Sequence, residues 1–141
     1  MSHFARAIAF ILAEEGGLVD NPADPGGLTK YGISKRAYPT LDIAGLTVDQ
    51  AKAIYRRDYW NPLGLDAIEK YGPALVLFDC AVNQGTKRAM QIKDKVSTSS
   101  QPFVVAFQAE RALHYASLPT FATFGRGWMR RLIRGSMEAA K

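Results

Sequence analysis

The stretch from Glu14 to Gly32 constrains this chain more than any other. It holds five glycines and two prolines together with the acids Glu15, Asp20 and Asp24 and the hydroxyl of Thr29. Packing alone does not select that density of turn formers and carboxylates. The run before it, His3 to Glu15, places Phe4, Ile8, Ile11 and Leu12 on one face, the spacing of an amphipathic helix. Gly16 is the residue at which such a helix stops, because glycine accepts the positive-φ backbone of a helix terminus. Glu15 therefore belongs to the last helical turn, at the negative end of the dipole. That position, with partial burial against aromatics, disfavours ionisation of a carboxyl, the condition a proton donor requires.

The rest of the chain limits the classes open to it. Its 141 residues suffice for one domain, residues 1–141, with one core, and 48% hydrophobic with 22% charged residues is ordinary soluble composition. Cys80 lies in the apolar run Ala74 to Val82 and reads as a small buried hydrophobe. One cysteine and two scattered histidines do not furnish a zinc site, and no cofactor is expected. The amino terminus lacks a basic segment followed by an unbroken apolar core, so neither a signal peptide nor a membrane span is expected. A net charge of +5 and a pI near 9.5 favour a polyanionic partner: nucleic acid, an anionic membrane or a bacterial cell wall.

The expected architecture is mainly α, a compact helical domain with room for one small β-hairpin, between Leu18 and Thr29, after the first helix. Ser34 to Tyr38 is at most two turns before Pro39. Thr47-Val-Asp-Gln50 has the form of a capping box and opens a helix through Ala51, Ile54, Tyr55 and Asp58. Tyr59 and Trp60 follow, and their rings either pack in the core or stack on a sugar. A buried helix from Pro73 and Ala74 to Gln84 is closed by Gly85. Asp79 inside it is costly unless paired, so it ties this helix to a neighbour, and Asn83 has the same choice between anchoring and catalysis. A short basic helix from Thr86 to Val96 and an amphipathic one from Pro102 to Leu118 come next, the latter carrying Arg111 toward an acid in the core. Phe121 to Arg126 reads as a turn ended by glycine, and Trp128 to Ala140 as a last helix bearing Arg130, Arg131 and Arg134.

The acids of the Glu14–Gly32 stretch fit one reaction well. An inverting glycoside hydrolase needs one protonated carboxyl at the leaving oxygen and a second carboxylate about 6.5–9.5 Å away to activate water. A helix end followed by a hairpin brings an acid such as Asp24 back across a cleft from Glu15, and Thr29 can hold the water in line. The same letters also spell turns: Asp24-Pro25-Gly26-Gly27 and Asp20-Asn21-Pro22 are good turn sequences, so either aspartate can be purely conformational.

Glu15-Gly16-Gly17, Asn21-Pro22-Ala23-Asp24-Pro25-Gly26-Gly27 and Thr29-Lys30-Tyr31-Gly32-Ile33-Ser34 resemble the signature of glycoside hydrolase family 108, bacterial and phage N-acetylmuramidases that cleave peptidoglycan. Later segments resemble it too: Ala53-Ile54-Tyr55 through Tyr59-Trp60, Phe78-Asp79, Ala81-Val82-Asn83-Gln84-Gly85, and Phe124-Gly125-Arg126-Gly127-Trp128 with Arg131. The resemblance implies a lysozyme-like fold with Glu15 as the catalytic acid. Glu15, Asp24 and Thr29 also resemble the glutamate, aspartate, threonine triad of phage lysozymes, with Asp20 as the alternative second carboxylate. Tyr31, Tyr59, Trp60 and Asn83 are the substrate-binding candidates. Residues 1–85 correspond to the catalytic part, and residues 86–141 resemble a small helical peptidoglycan-binding segment.

The expected activity is hydrolysis of the β-1,4 bond between N-acetylmuramic acid and N-acetylglucosamine by a monomer whose partner is bacterial peptidoglycan, with no nucleic-acid partner. Such an enzyme would be made in the cytoplasm and reach the wall through holin-type release or dedicated export. Two rivals stand beside it. A lytic transglycosylase uses a lone catalytic acid, and a noncatalytic wall or nucleic-acid binder would use the basic residues Lys87, Arg88, Lys93 and Lys95 and the Arg130, Arg131, Arg134 helix.

Overall fold

The computed structural model describes residues 1–20 and 27–141. Helix α1, His3–Glu15, is capped by the Ser2 side chain and stops at Gly16, whose φ is +75°. Three short strands follow, β1 Leu18–Asp20, β2 Leu28–Lys30 and β3 Ile33–Ser34, paired antiparallel in that order. The first pairing is the expected hairpin. The second, across Tyr31-Gly32, was not foreseen, because two-residue strands carry too little alternation to be read in sequence.

Helix α2, Val48–Tyr55, opens with the full capping box: Gln50 N–H donates to the Thr47 hydroxyl, and Thr47 N–H donates to the Gln50 side chain. It widens into a π-helical turn over Arg56–Trp60 and ends in two 3₁₀ turns, Asn61–Leu63 and Leu65–Ala67. Helix α3, Tyr71–Gln84, is apolar nearly all round and buried for most of its length, which is what a helix surrounded by others must be. It packs against α1, α4 (Thr86–Val96), α5 (Phe103–Ser117) and α6 (Phe121–Ala139). Pro73 is its third residue rather than its first, still within the turn whose N–H groups have no helical acceptor.

The core is one cluster from Ala7 to Phe107, centred on Phe78, with Trp60 and Tyr55 edge-on to its ring. Cys80 is buried there, and burial pushes its thiol up to about 11, so it behaves as the inert hydrophobe its setting implies. No helix of the described residues is long and apolar enough to cross a membrane.

Helix α6 corrects the expectation of a turn before Trp128. The helix runs unbroken from Phe121 through Gly125 and Gly127. Each glycine costs about 1 kcal/mol in a helix interior, and tertiary contacts offset that cost. A Cβ on Gly125 would lie 2.6–2.8 Å from the Phe121 ring, and Trp128 stacks on Tyr115 of α5 with centroids 4.9 Å apart.

Candidate active site

Glu15 ends α1 with its side chain 22% exposed. The sheet packs directly against its stem through the turn Tyr31-Gly32, which joins Lys30 to its partner Ile33. Both turn residues have positive φ, +53° and +78°, the pattern of a type I′ hairpin. A Cβ at Gly32 would come within 2.8–2.9 Å of Glu15 Cγ and Cβ and would collide with the Tyr55 hydroxyl. Glycine is needed here for close approach as well as for the turn. Tyr31 has no such freedom, and the left-handed backbone costs an ordinary residue about 1–2 kcal/mol. The Tyr55 hydroxyl offsets part of this by donating to Tyr31 O at 2.6 Å. Burial raises the Tyr55 pKa, and the charge of Glu15 raises it further, so the phenol remains a neutral donor. Tyr59 in the π turn is shifted the same way, first by burial, and its ring lies 5.7 Å from that of Tyr55.

From Glu15 a chain of charges runs into the core. Arg131 of α6 donates from Nη1 to Glu15 Oε1 at 2.7 Å and from Nε to Asp79 Oδ1 at 2.9 Å. Its Nη2 is also 2.9 Å from that oxygen, at an angle too poor for a hydrogen bond but within ion-pair range. Asp79 is fully buried, and its other oxygen accepts from Arg111 Nη1 at 3.0 Å. Arg111, also fully buried, donates in addition to Gln84, Gln108 and Tyr115. Two carboxylates and two guanidiniums thus alternate, Glu15, Arg131, Asp79, Arg111, so each buried charge has an opposite neighbour, as burial demands. Arg131 takes one oxygen of Glu15 only. Oε2 has no hydrogen-bond partner among the described residues.

The structure sorts the residues named from sequence. Asp24 lies outside the described residues. Asp20 is exposed on β1, paired with Leu28, while Thr29 pairs with Val19 and Ser34. Successive residues of a strand point to opposite faces, so Asp20 and Thr29 flank the sheet rather than meeting on one side of it. Tyr31 contributes its strained backbone to the site and is half-buried. Tyr59 is half-buried beside Tyr55. Trp60 is a correction: it is fully buried between Phe4 and Phe78 and its indole N–H donates to Asp66, so it has no face to offer a sugar. Asn83 accepts a hydrogen bond from the Tyr115 hydroxyl and so belongs to the support of the charge chain. Arg131 is a second correction, since it is buried rather than part of a basic outer face, and Arg134 beside it is bonded to Glu14. Sequence reasoning missed the pairing of Arg131 with Glu15. The signal was indirect: a buried Asp79 required cations, and Arg111 was the only one foreseen. Among the described residues no group of three or more His, Cys, Asp or Glu could hold a metal ion.

A helical scaffold whose first helix ends in a partly exposed glutamate, with a small antiparallel sheet folded onto that glutamate, has the form of a lysozyme-like glycoside hydrolase. The sequence pattern of Glycosyl hydrolase 108 matches residues 8–85, more than half of the chain, and the chain belongs to that family. The solved structure of Brucella abortus SagA is similar over 97% of this chain and 93% of its own, with a TM-score of 0.84 and 29% sequence identity. No curated protein matches the chain.

Proposed function

We propose that this chain is an N-acetylmuramidase that hydrolyses the β-1,4 bond between N-acetylmuramic acid and N-acetylglucosamine in bacterial peptidoglycan, with Glu15 as general acid. The observation that carries the reading is the half-held carboxyl: Arg131 orients the partly exposed Glu15 through Oε1, and Oε2, which has no partner among the described residues, is the oxygen that carries the transferred proton. As the C1–O bond to the leaving sugar breaks, that proton passes to the glycosidic oxygen. A water attacks C1 from the opposite side and gives its proton to the second carboxylate. Asp24 is the preferred second carboxylate, with Thr29 as the hydroxyl that orients the water; Asp20, on the other face of the sheet from Thr29, is the alternative and would act without it. Asp79 is excluded from that role, because it is fully buried and held by two arginines. Peptidoglycan carries stem-peptide carboxylates, which suits a chain of net charge +5. The enzyme reaches its substrate by holin-type release or dedicated export.

The test is mass spectrometry of the muropeptides released from purified sacculi. Hydrolysis yields N-acetylmuramic acid at a reducing end. Anhydro ends would identify a lytic transglycosylase instead, and reducing N-acetylglucosamine ends would move the cleaved bond by one sugar.

A further inference from the structure

Helix α6 carries a stripe that the catalytic scheme leaves unused. Phe124, Trp128 and Arg131 are spaced i, i+4 and i+7 and so share one face of the helix. At the end of the stripe Arg131 holds Glu15. A rise of about 1.5 Å per residue places Trp128 about 5 Å and Phe124 about 10 Å along the axis from Arg131. Phe124 is large, apolar and 54% exposed. Trp128 is half-buried, with Tyr115 stacked against it and the Phe124 ring 5.9 Å away. Tyr115 is itself anchored, since its hydroxyl accepts from Arg111 and donates to Asn83. The support under these rings is thus the same charge chain that fixes Glu15.

Gly127 is a second, independent observation. It is four residues before Arg131 and three after Phe124, on the same face, and it is exposed. Its φ is ordinary, and a Cβ there would meet nothing within 4 Å. Neither backbone geometry nor packing requires glycine, although glycine weakens a helix relative to alanine. Gly125, two residues earlier, is explained by the Phe121 ring; no contact among the described residues explains Gly127. A bare backbone between an exposed aromatic ring and the arginine that holds Glu15 is what close approach of a ligand needs.

We infer that Phe124, Gly127 and Trp128 form a binding subsite for one N-acetylhexosamine ring of the glycan strand, a short way along it from the bond that Glu15 cleaves. The apolar C–H face of the pyranose lies on the aromatic ledge, and the ring or its N-acetyl methyl settles over Gly127. The inference rests on the muramidase reading, because Arg131 is what ties the ledge to the catalytic acid.

The experiment separates the two. In Glu15→Gln protein, tryptophan fluorescence is titrated with the β-1,4-linked N-acetylglucosamine tetramer and with peptide-free glycan strands. Trp60 is sealed in the core, so a change reports Trp128. A saturable change is expected, weakened roughly three- to tenfold by Phe124→Ala and largely restored in Phe124→Tyr, since a ring is what the sugar needs. Gly127→Ala is expected to raise the melting temperature and still weaken binding, a combination that a purely structural glycine would not produce. In otherwise wild-type protein both Phe124→Ala and Gly127→Ala should raise KM for glycan strands and leave kcat nearly unchanged. If wild type cleaves glycan while these variants keep its KM and their Glu15→Gln forms its fluorescence response, the ledge is overturned and the muramidase reading stands. If wild type cleaves nothing yet Trp128 responds to glycan and Phe124→Ala weakens the response, the ledge stands and the muramidase reading falls. Absence of both cleavage and binding overturns both.

Discussion

Two neighbouring glutamates at the end of α1 meet two arginines three residues apart on α6, and the pairs do different things. Arg134 grips Glu14 with Nε and Nη2, one nitrogen to each oxygen at 2.6 and 2.8 Å, with the arginine side chain 53% exposed. Both oxygens of Glu14 are spent. Arg131, 10% exposed, divides itself between Asp79 and Glu15 and takes only one Glu15 oxygen, the other having no partner among the described residues. The first pair clamps two helices where solvent weakens the attraction. The second is part of a buried chain in which removal of one member strands another charge. The same residue types at the same two helices thus give a fastener in one case and a poised carboxyl in the other, and the difference is made by Asp79.

The comparison is broken most sharply at Glu15. Glu15→Gln keeps an acceptor for Arg131 and the same volume but has no proton to give, so muropeptide release should fall by about 10²–10⁴-fold while the fold persists. Glu14→Gln should leave activity close to wild type. Wild-type clearing of sacculi by a folded Glu15→Gln protein would end the catalytic assignment.

Next in size is Arg131. Arg131→Ala leaves Asp79 buried with only Arg111 as cation, a change expected to cost about 3–5 kcal/mol in denaturant unfolding. Because the variant can fail to fold, Arg131→Lys sharpens the point. One ammonium retains the charge but cannot span two carboxylates as a guanidinium fork does, so kcat should drop by more than stability does. A lysine variant with wild-type kcat would show that Arg131 serves the fold alone.

Between the aspartates, Asp24→Asn should approach the Glu15→Gln defect with little loss of melting temperature, and Asp20→Asn should be mild. Equal activity loss with equal destabilisation in both would instead make them turn formers. The smallest effect belongs to the outer pair. Arg134→Ala should cost no more than about 1 kcal/mol, less at high salt, and leave cleavage of soluble glycan strands unchanged. A large, salt-insensitive loss would show that the two pairs are not as different as their exposure implies.

Much of the helical layout was legible because it is local. The stop at Gly16, the Thr47–Gln50 box and the amphipathic spacing of α1 and α5 involve residues a few positions apart, whose preferences operate before any tertiary contact forms. The buried acid at Asp79 was legible for a related reason, since an ionised group in an apolar helix implies a partner. Tyr59 and Trp60 show the limit. They are adjacent and chemically alike, and the π-helical turn that carries both sends one ring to the core and leaves the other half-exposed.

By itself the sequence determined the helices, the loop that follows α1, the family and the glutamate at the helix end, because each is encoded in neighbouring residues or an ordered set of motifs. Only the tertiary structure decided that Arg131, 116 positions from Glu15, is its partner, that Gly32 must be bare for the sheet to reach the Glu15 stem, and that Gly125 and Gly127 sit inside one continuous helix. Those outcomes depend on which faces of separate elements are pressed together. That choice is made by the summed burial and charge pairing of the whole core, and no short window of sequence contains it.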